Sequence, residues 1–375
     1  MSRKGPAVTD TDVARDVEKA DLKAMSDMNV DNVYTLMDVQ LRERPTPREL
    51  YKRWEKQNWS VYDLDWTKDK EDWAMLPDEI KGEVVYGLQA FFLGEVCVTE
   101  TLSPMVHAAP TTEDQQFLST QLVDEARHAI FFEEFFRNVL NIDGLDALKG
   151  DPLFQVYTNA NEPGYGKTFF KDLPEVTDAV REDPGGYKKW VTSIVLYHML
   201  IEGMLALYGQ RQLLQATRAF NVLPSFRAGF TAVTRDESRH VNYGVYALRK
   251  AFEAGLHDHI VESARSLMDG PCDLLTRPQD KIVLPPEELM AMVPPELQMQ
   301  GSFFEEWEFP LVQLRKRLGG AGISSEAIDT LDLFWRSRIV DNTKDYENRF
   351  GEPHPALERD PEGWASLTSK VGVPA

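Results

Sequence analysis

One five-residue pattern, Asp-Glu-x-Arg-His, occurs twice in this chain, at residues 124–128 and again at residues 236–240. On an α-helix, residues three apart lie on one face, so each copy points a glutamate and a histidine in the same direction. A single copy is typical of a surface ion pair, which contributes little. Two copies on separate helices instead predict a helical bundle that encloses a shared polar centre.

Helical signals dominate the rest of the chain, whereas sustained alternation and Asn-Gly hairpins are missing from the sequence. The predicted fold class is all-α, a four-helix-bundle core with additional N- and C-terminal helices. Residues 1–45 are polar and predict a flexible arm, residues 46–350 form the predicted domain, and residues 351–375 form a tail. Four tryptophans between residues 54 and 73 indicate a segment that packs onto the larger body.

Two further glutamates complete the predicted centre. Pro110 breaks the chain midway between Glu95 and Glu125, and residues equally far from a turn lie level on antiparallel helices. A similar count across the break near residues 221–224 leads from Glu237 back to Glu202, inside an otherwise apolar helix. A carboxylate in such a position costs several kcal/mol unless it is paired or bound to a metal.

The set of predicted metal ligands is Glu95, Glu125, His128, Glu202, Glu237 and His240. Its four carboxylates balance the charge of two divalent ions. Mixed carboxylate and imidazole ligation suits iron or manganese better than it suits structural zinc. A buried salt-bridge network is the alternative, but Arg127 and Arg239 are expected to point elsewhere on their helices.

The overall charge excludes several classes of partner. The formal net charge is -20 and the sequence pI is about 4.8, which argues against binding to nucleic acid or to an anionic membrane. The two cysteines cannot form a disulfide framework, and the sequence shows no signal peptide and no membrane span. A cytoplasmic protein is therefore expected.

These motifs give the chain a resemblance to the radical-generating small subunit of class I ribonucleotide reductase. The region from about residue 54 to residue 252 more closely resembles the ligand-binding oxidases derived from that subunit, in the ferritin-like di-metal carboxylate superfamily. The resemblance implies a ferritin-like bundle, a cofactor of one manganese and one iron or of two irons, and dioxygen activation. In both families a Trp–Asp pair supports one histidine ligand, and Trp59 and Asp236 match it here. Asp124, before the first motif, is assigned to the same layer behind the ligands.

Particular residues distinguish the two families. The reductase subunit usually has a radical-bearing tyrosine where this chain has Phe132. The oxidases have a valine and a tyrosine joined by an ether bond, and Val98 and Tyr197 match their spacing, so the resemblance implies a catalytic role for both. Tyr197 lies off the Glu202 face of a regular helix, so the resemblance also requires a distorted helix. His198, which shares that face, is interpreted as a core histidine rather than an additional ligand.

The resemblance implies an oxidase whose apolar pocket holds a long-chain fatty acid or a similar lipid. Dioxygen, an electron donor and a second copy of the chain, forming a homodimer, are the other expected partners. Two alternatives remain open: a tyrosine-free ribonucleotide reductase small subunit serving a large partner subunit, and a ferritin-like iron-storage protein. Residues 351–375 contain no tyrosine, which disfavours the first, and the tryptophan segment and long tail disfavour the second.

Overall fold

The computed structural model describes residues 8–144, 149, 152–277 and 303–372. All regular structure in these ranges is helical, and no strand occurs in them, so the all-α prediction is confirmed. The chain divides into two compact units. The first comprises Met1–Asp151 and Gly209–Ala247, and the second comprises Pro152–Tyr208 and Leu248–Ala375.

The N-terminal part of the chain carries eight α-helices: α1 Asp10–Lys19, α2 Leu22–Ser26, α3 Val30–Glu43, α4 Pro47–Lys56, α5 Thr67–Met75, α6 Asp78–Thr101, α7 Ser103–His107 and α8 Thr112–Phe135. A 3-10 turn, Val61–Asp63, lies between α4 and α5, and a π-helical turn, Phe136–Leu140, follows α8. The next helices are α9 Pro152–Thr158, α10 Tyr165–Lys167, α11 Leu173–Glu182, α12 Tyr187–Ile194, α13 Leu207–Ala219 and α14 Pro224–Glu253. Two further π-helical segments are Thr168–Asp172 and Val195–Ala206. The last helices are α15 His257–Leu267, α16 Asp269–Thr276, α17 Phe303–Ala321, α18 Ser325–Phe350, α19 Pro355–Arg359 and α20 Pro361–Val371.

Residues 10–43 form helices α1 to α3, which differs from the flexible arm that their polarity predicts. Helices α1 and α3 pack against each other, with Val17 and Val33 almost fully buried. The Arg235 side chain of α14 donates to the Ala20 carbonyl at 2.8 Å. The buried residues recur at helical spacing, while the charged residues of the outer faces dominate the composition.

Helices α6 and α8 pack against each other, joined by α7 and the turn at Pro110, and this pair carries the first three predicted ligands. Helix α8 begins where the Thr111 side chain accepts a hydrogen bond from the Asp114 amide. Leu88 and Phe92 on α6 and Phe117 on α8 are buried, so both helices present apolar faces to the core of the first unit.

Helix α14 carries the second copy of the repeated pattern, and its start is fixed by a buried carboxylate from α5. Asp69 accepts hydrogen bonds from the amides of Ser225 at 2.9 Å and Phe226 at 2.7 Å. These amides belong to the first turn of the helix, where no intrahelical acceptor is available. The contact therefore sets the position of Glu237 and His240 relative to the rest of the first unit.

The second unit contains the long helical stretch Tyr187–Ile194, Val195–Ala206 and the start of α13, in which the middle segment is π-helical. A β-carbon on Gly203 would lie 2.9 Å from the His198 carbonyl oxygen, so glycine permits this tight backbone path. Among the described residues, Tyr187–Ala219 alone has the length and apolar composition of a membrane span, and 89% of its most apolar window is buried inside the protein. Core helices often have this composition, so the stretch is weak evidence for a membrane.

The C-terminal residues of the second unit also differ from a simple tail. Helices α19 and α20 pack on α17, and α20 also packs on α18. His354, just before α19, is buried against the rings of Trp307 and Tyr346. The domain boundaries at residues 46 and 350 remain a prediction.

Candidate metal centre

The first half of the centre forms around His128 on α8. Its Nδ1 atom lies 3.5 Å from Glu95, 3.4 Å from Glu125 and 3.5 Å from Glu237, each measured to a carboxylate oxygen. One ligand atom from each of these four residues lies within 4.8 Å of all the others. All four side chains are buried. The residues come from α6, α8 and α14, so three helices of the first unit point their acidic and imidazole groups at one spot.

The second half forms around His240 on α14. Its Nδ1 atom lies 3.2 Å from an oxygen of Glu125 and 3.2 Å from an oxygen of Glu237. Each of these two glutamates therefore presents one oxygen to His128 and the other to His240. The two imidazole rings have centroids 6.2 Å apart. This is an arrangement in which two carboxylates are shared between two neighbouring positions.

The residues fit a pair of metal ions. Two metal–ligand bonds of about 2.1 Å that meet at roughly 100–110° place their ligand atoms a little over 3 Å apart. The nitrogen–oxygen distances around both histidines have this size. The buried Nδ1 atom of His128 has no hydrogen-bond partner among the described residues although three carboxylates face it. A cation between them satisfies the nitrogen and the carboxylates together.

The electrostatics of the first half also favour a bound cation. Burial raises the pKa of the Glu95 carboxyl to about 8. The negative charges of Glu125 and Glu237 also raise this pKa, whereas the contacts with His128 lower it. Burial alone would lower the pKa of His128, but its acidic partners outweigh that effect and raise the pKa well above its ordinary value. Several buried carboxylates at one spot need positive charge nearby.

A tryptophan and an aspartate lie behind each histidine. Trp59 donates its indole N–H to Asp236 at 2.8 Å, and the same Asp236 oxygen lies 3.4 Å from Nε2 of His128. Trp54 donates to Asp124 at 2.9 Å, and the other Asp124 oxygen lies 3.1 Å from Nε2 of His240. Each aspartate thus supports the histidine of the other motif. An acceptor on the outer nitrogen fixes the tautomer and leaves Nδ1 for a metal.

The two aspartates are joined by two arginines into a closed set that we call the charge ring: Asp124, Arg239, Asp236 and Arg127. Nη2 of Arg239 donates to Asp124 at 2.8 Å and to Asp236 at 2.7 Å. Nη1 of Arg127 lies 3.1 Å from Asp124 and 3.3 Å from Asp236. Burial would raise the pKa of Asp236, but the charge of Arg239 and the contacts of His128 and Arg127 hold it well below its ordinary value.

Sequence reasoning missed two parts of this layer. The arginines of the repeated pattern were expected to point elsewhere, and they do avoid the ligand oxygens, but they bind the aspartates of the same pattern. The role of Trp54 was also missed, although its position five residues before Trp59 parallels the duplication of the motif. The signal in the sequence that indicates this layer is the repetition of the aspartate together with the ligands.

The remaining predicted site residues divide between the two units. Val98 lies on α6 close to Glu95 in the first unit and is buried. Tyr197, His198 and Glu202 all lie in the π-helical segment of the second unit and are buried. A π-helix forms hydrogen bonds between residues five apart, so Tyr197 and Glu202 share a side of this segment, unlike in a regular α-helix. The distorted helix that the resemblance requires is therefore present.

Phe132 lies on α8 just beyond His128 and is fully buried. Its ring packs edge-on against Phe131 and Phe230, with centroids 5.2 Å and 5.6 Å away, and stacks with Phe91 at 5.9 Å. The side chain one helical turn beyond His128 on α8 is thus packed among phenylalanine rings, which carry no hydroxyl group.

Comparison with known proteins places these features in a family context. A family model described as "Ribonucleotide reductase, small chain" matches residues 41–269. An R2-like ligand-binding oxidase from Sulfolobus acidocaldarius is 22% identical with a TM-score of 0.57, over 75% of this chain and 93% of that chain. An R2-like ligand-binding oxidase with an aerobically reconstituted Mn/Fe cofactor is 23% identical with a TM-score of 0.59, over 73% of this chain and 91% of that chain. A point mutant of such an oxidase, also with a Mn/Fe cofactor, is 22% identical with a TM-score of 0.60, over 75% and 94% of the two chains. These similarities show a shared fold.

Proposed function

Because the chain belongs to the ribonucleotide reductase small-chain family, we propose that it is an oxidoreductase that activates dioxygen with two metal ions. The ions lie in the cluster around His128 and His240, and they are one manganese and one iron, or two irons. When bound, such a pair supplies the electrons and the open coordination positions that dioxygen reduction needs. The protein's own residues hold the ions, exclude water and set the orientation of the ligands.

The observation that carries the proposal is the environment of the buried Nδ1 atom of His128. Three carboxylates approach it to 3.4–3.5 Å, and no described residue donates to it or accepts from it. A salt-bridge network would place guanidinium or ammonium groups at this spot. The arginines of the pattern instead lie behind the histidines, in the charge ring.

The proposed ligand set adds Glu202 to the five residues of the first unit. Glu202 is buried in a segment whose other side chains are almost all apolar, where a carboxylate is costly unless a cation or a donor meets it. With Glu202 the set has four carboxylates and two imidazoles, and its charge balances that of two divalent ions. Di-iron carboxylate bundles have the same pattern, in which two helices each supply one glutamate and two others each supply a Glu-x-x-His motif.

The substrate side of the proposal is an apolar ligand, such as a long-chain fatty acid. Its support is the similarity to proteins named as ligand-binding oxidases and the phenylalanine rings packed around Phe132, one helical turn beyond His128. The proposal also includes an external electron donor, a homodimer and a cytoplasmic location, which follow from the resemblance and from the sequence.

The proposal includes an ether cross-link between Tyr197 and Val98. The phenol O–H bond of Tyr197 and the Cβ–H bond of Val98 break, a C–O bond forms, and dioxygen accepts the two hydrogen atoms. The valine Cβ–H is tertiary and therefore weaker than a methyl C–H bond. Both side chains are buried, Val98 lies near Glu95 on α6, and Tyr197 shares a side of the π-helical segment with Glu202.

Elemental analysis after anaerobic loading with Fe²⁺ and Mn²⁺ tests the ligand set. Wild type is expected to hold two metal ions, while Glu95→Ala and Glu202→Ala each lose at least one. Glu100→Ala is the matched control, because Glu100 is exposed on the same helix as Glu95. Full occupancy in both ligand variants would refute the assignment.

Mass spectrometry tests the chemistry and the ligand. After oxygen exposure of the metal-loaded protein, the tryptic peptides containing Tyr197 and Val98 are expected to be joined with a loss of two hydrogens. Tyr197→Phe is the control and leaves them separate. Solvent extraction of the purified protein is expected to yield a lipid. Separate wild-type peptides after full loading and oxygenation would rule out the cross-link.

The family description itself favours a second candidate, a reductase small subunit that works without the usual tyrosine. Phe132, at the position of that tyrosine, fits such a subunit as well as an oxidase. Electron paramagnetic resonance after oxygen exposure is expected to show no long-lived tyrosyl radical in either case. Ribonucleotide reduction in the presence of a class I large subunit separates the two, since the oxidase does not support it.

A further inference from the structure

We infer that Arg239 couples the two metal positions, acting as a positioning residue for both ligand histidines through the charge ring. The inference rests on the proposed metal centre and goes beyond it, because it assigns a function to a residue that touches no predicted ligand oxygen. The two ions then bind as a linked pair. A change at one histidine is transmitted to the other through the ring.

The shortest link between the two aspartates runs through one nitrogen atom. Nη2 of Arg239 donates to Asp124 at 2.8 Å and to Asp236 at 2.7 Å, so both carboxylates are held by the same group. Asp124 in turn lies 3.1 Å from Nε2 of His240, and Asp236 lies 3.4 Å from Nε2 of His128. Movement of either carboxylate shifts the shared guanidinium, and with it the acceptor of the other histidine.

Of the two arginines in the charge ring, Arg239 is the more deeply buried and makes the shorter contacts to the aspartates. Its side chain is 1% exposed, and its Nη1 donates to Gln57 at 2.7 Å, which fixes the plane of the guanidinium. The Arg127 side chain is 12% exposed, its contacts to the aspartates are 3.1–3.3 Å, and its guanidinium lies over the Trp59 ring. Loss of Arg239 therefore leaves the negative charges of two buried aspartates balanced only by the longer contacts of Arg127 and by the histidines. Loss of Arg127 leaves the shorter contacts of Arg239 to both aspartates intact.

Each tryptophan, in contrast, serves one side of the centre. Trp54 donates to Asp124 and Trp59 donates to Asp236, and neither indole reaches the other aspartate. Trp54→Phe is therefore expected to weaken mainly the metal that His240 holds, and Trp59→Phe mainly the metal that His128 holds. These two variants provide one-sided references against which a two-sided effect is recognised.

A buried arginine on the same helix offers a matched control. Arg235 is 3% exposed and donates to the carbonyls of Ala20 and Gln57, but it has no hydrogen bond or ion pair with Asp124 or Asp236 in the described structure. Arg235→Met removes a comparable buried guanidinium without opening the ring. A general loss of structure affects Arg235→Met and Arg239→Met alike, whereas coupling through the ring affects only the second.

The experiment is an anaerobic Mn²⁺ titration of the full chain, followed by calorimetry and electron paramagnetic resonance. Both stepwise dissociation constants are expected to rise 10–100-fold in Arg239→Met, the size of effect seen when an outer-shell partner is lost. Arg235→Met is expected to leave both within about threefold of wild type. In Trp54→Phe and Trp59→Phe, one constant is expected to rise much more than the other.

Each outcome decides the matter. A rise in only one constant, no rise, or an equal rise in Arg235→Met would overturn the coupling. If Arg239→Met does not fold, as judged by circular dichroism, Arg127→Met opens the more exposed side of the ring. It is then expected to weaken both metals by a smaller factor, and a one-sided or absent effect contradicts the inference. Wild type that binds fewer than two Mn²⁺ ions would instead refute the proposed metal centre.

Discussion

Each residue type in the repeated Asp-Glu-x-Arg-His pattern has its own place in the centre. The glutamates and histidines face one another at the two proposed metal positions, while the aspartates and arginines lie behind the imidazole rings. The aspartate of each motif supports the histidine of the other, so neither copy forms a complete site alone. Duplication of the whole pattern, rather than of the ligands only, is what this crossed arrangement requires.

Close packing beside the centre predicts that Gly229 tolerates no side chain. A β-carbon there would lie 2.3 Å from the ring of Phe131, which is itself fully buried among aromatic neighbours. Gly229→Ala is expected to destabilise the protein by about 1–3 kcal/mol, because overpacking forces rigid rings to shift. Chemical denaturation measures the effect.

The control is Gly87→Ala, where nothing lies within 4 Å of the added carbon. Alanine is favoured over glycine within a helix by roughly 1 kcal/mol, so this substitution on α6 is expected to be neutral or stabilising. An equal loss of stability in both variants would contradict the packing described around Phe131.

At the residue scale, the sequence could predict this cluster of carboxylates and imidazoles because two physical rules agreed. Helical spacing placed Glu125 with His128 and Glu237 with His240, and the turn at Pro110 placed Glu95 level with Glu125. Trp54 and the two arginines escaped prediction because hydrogen bonds between distant segments leave no periodic signal in the chain.

At the element scale, the π-helical segment Val195–Ala206 matters most for the proposed function. It changes which residues share a face, so that Tyr197 lies on the side of Glu202, and Gly203 allows the backbone to approach itself closely. The segment is apolar on nearly every side, so its hydrophobic pattern carries no information on helical pitch. A regular helix was therefore the default expectation, and only the resemblance indicated a distortion.

The start of α14 provides an element-scale prediction. Asp69 accepts from the Ser225 and Phe226 amides, and these bonds fix the helix that carries Glu237 and His240. Asp69→Ala is expected to lower the free energy of unfolding by about 1–2 kcal/mol, because two first-turn amides lose their acceptor. Thermal and chemical unfolding measure this change. Asp63→Ala, at an exposed position shortly before α5, is the control and is expected to have little effect, so equal losses would argue against the capping role.

At the scale of the whole molecule, the helices outside the predicted domain are folded parts of the two units. Residues 10–43 pack within the first unit, where Asn242 on α14 donates to Gln40 at 3.2 Å. Helices α19 and α20 pack within the second unit. The polar composition of these segments predicts an arm and a tail. Their few apolar residues nevertheless recur at helical spacing, and this gives each short helix an apolar face to bury.

Acid sensitivity of the second unit gives a prediction at this scale. Burial lowers the pKa of His354 to about 4, below the unfolded value of 6.5. Above pH 6.5 neither state is protonated there, so the stabilising effect is fully present. As the pH falls through 6.5 toward 4, the unfolded chain takes up a proton that the folded chain excludes, and stability is lost.

Between pH 7.5 and pH 4.5, wild type is expected to lose roughly 2–3 kcal/mol more stability than His354→Gln, which has no proton to take up. The pH dependence of chemical unfolding measures this difference. His257→Gln, which replaces a more exposed histidine paired with Asp258, serves as the control and is expected to leave most of the acid sensitivity in place. Identical pH profiles for wild type and His354→Gln would show that His354 does not titrate in this way.

The central claim is that two metal ions share Glu125 and Glu237 between His128 and His240. Anomalous diffraction at the iron and manganese absorption edges, from crystals of protein loaded anaerobically with both metals, tests it most directly. The expected result is two metal peaks, one bonded to Nδ1 of His128 and the other to Nδ1 of His240, with both glutamates bridging. A single peak, no peak, or metals bound away from these two nitrogens would contradict the account.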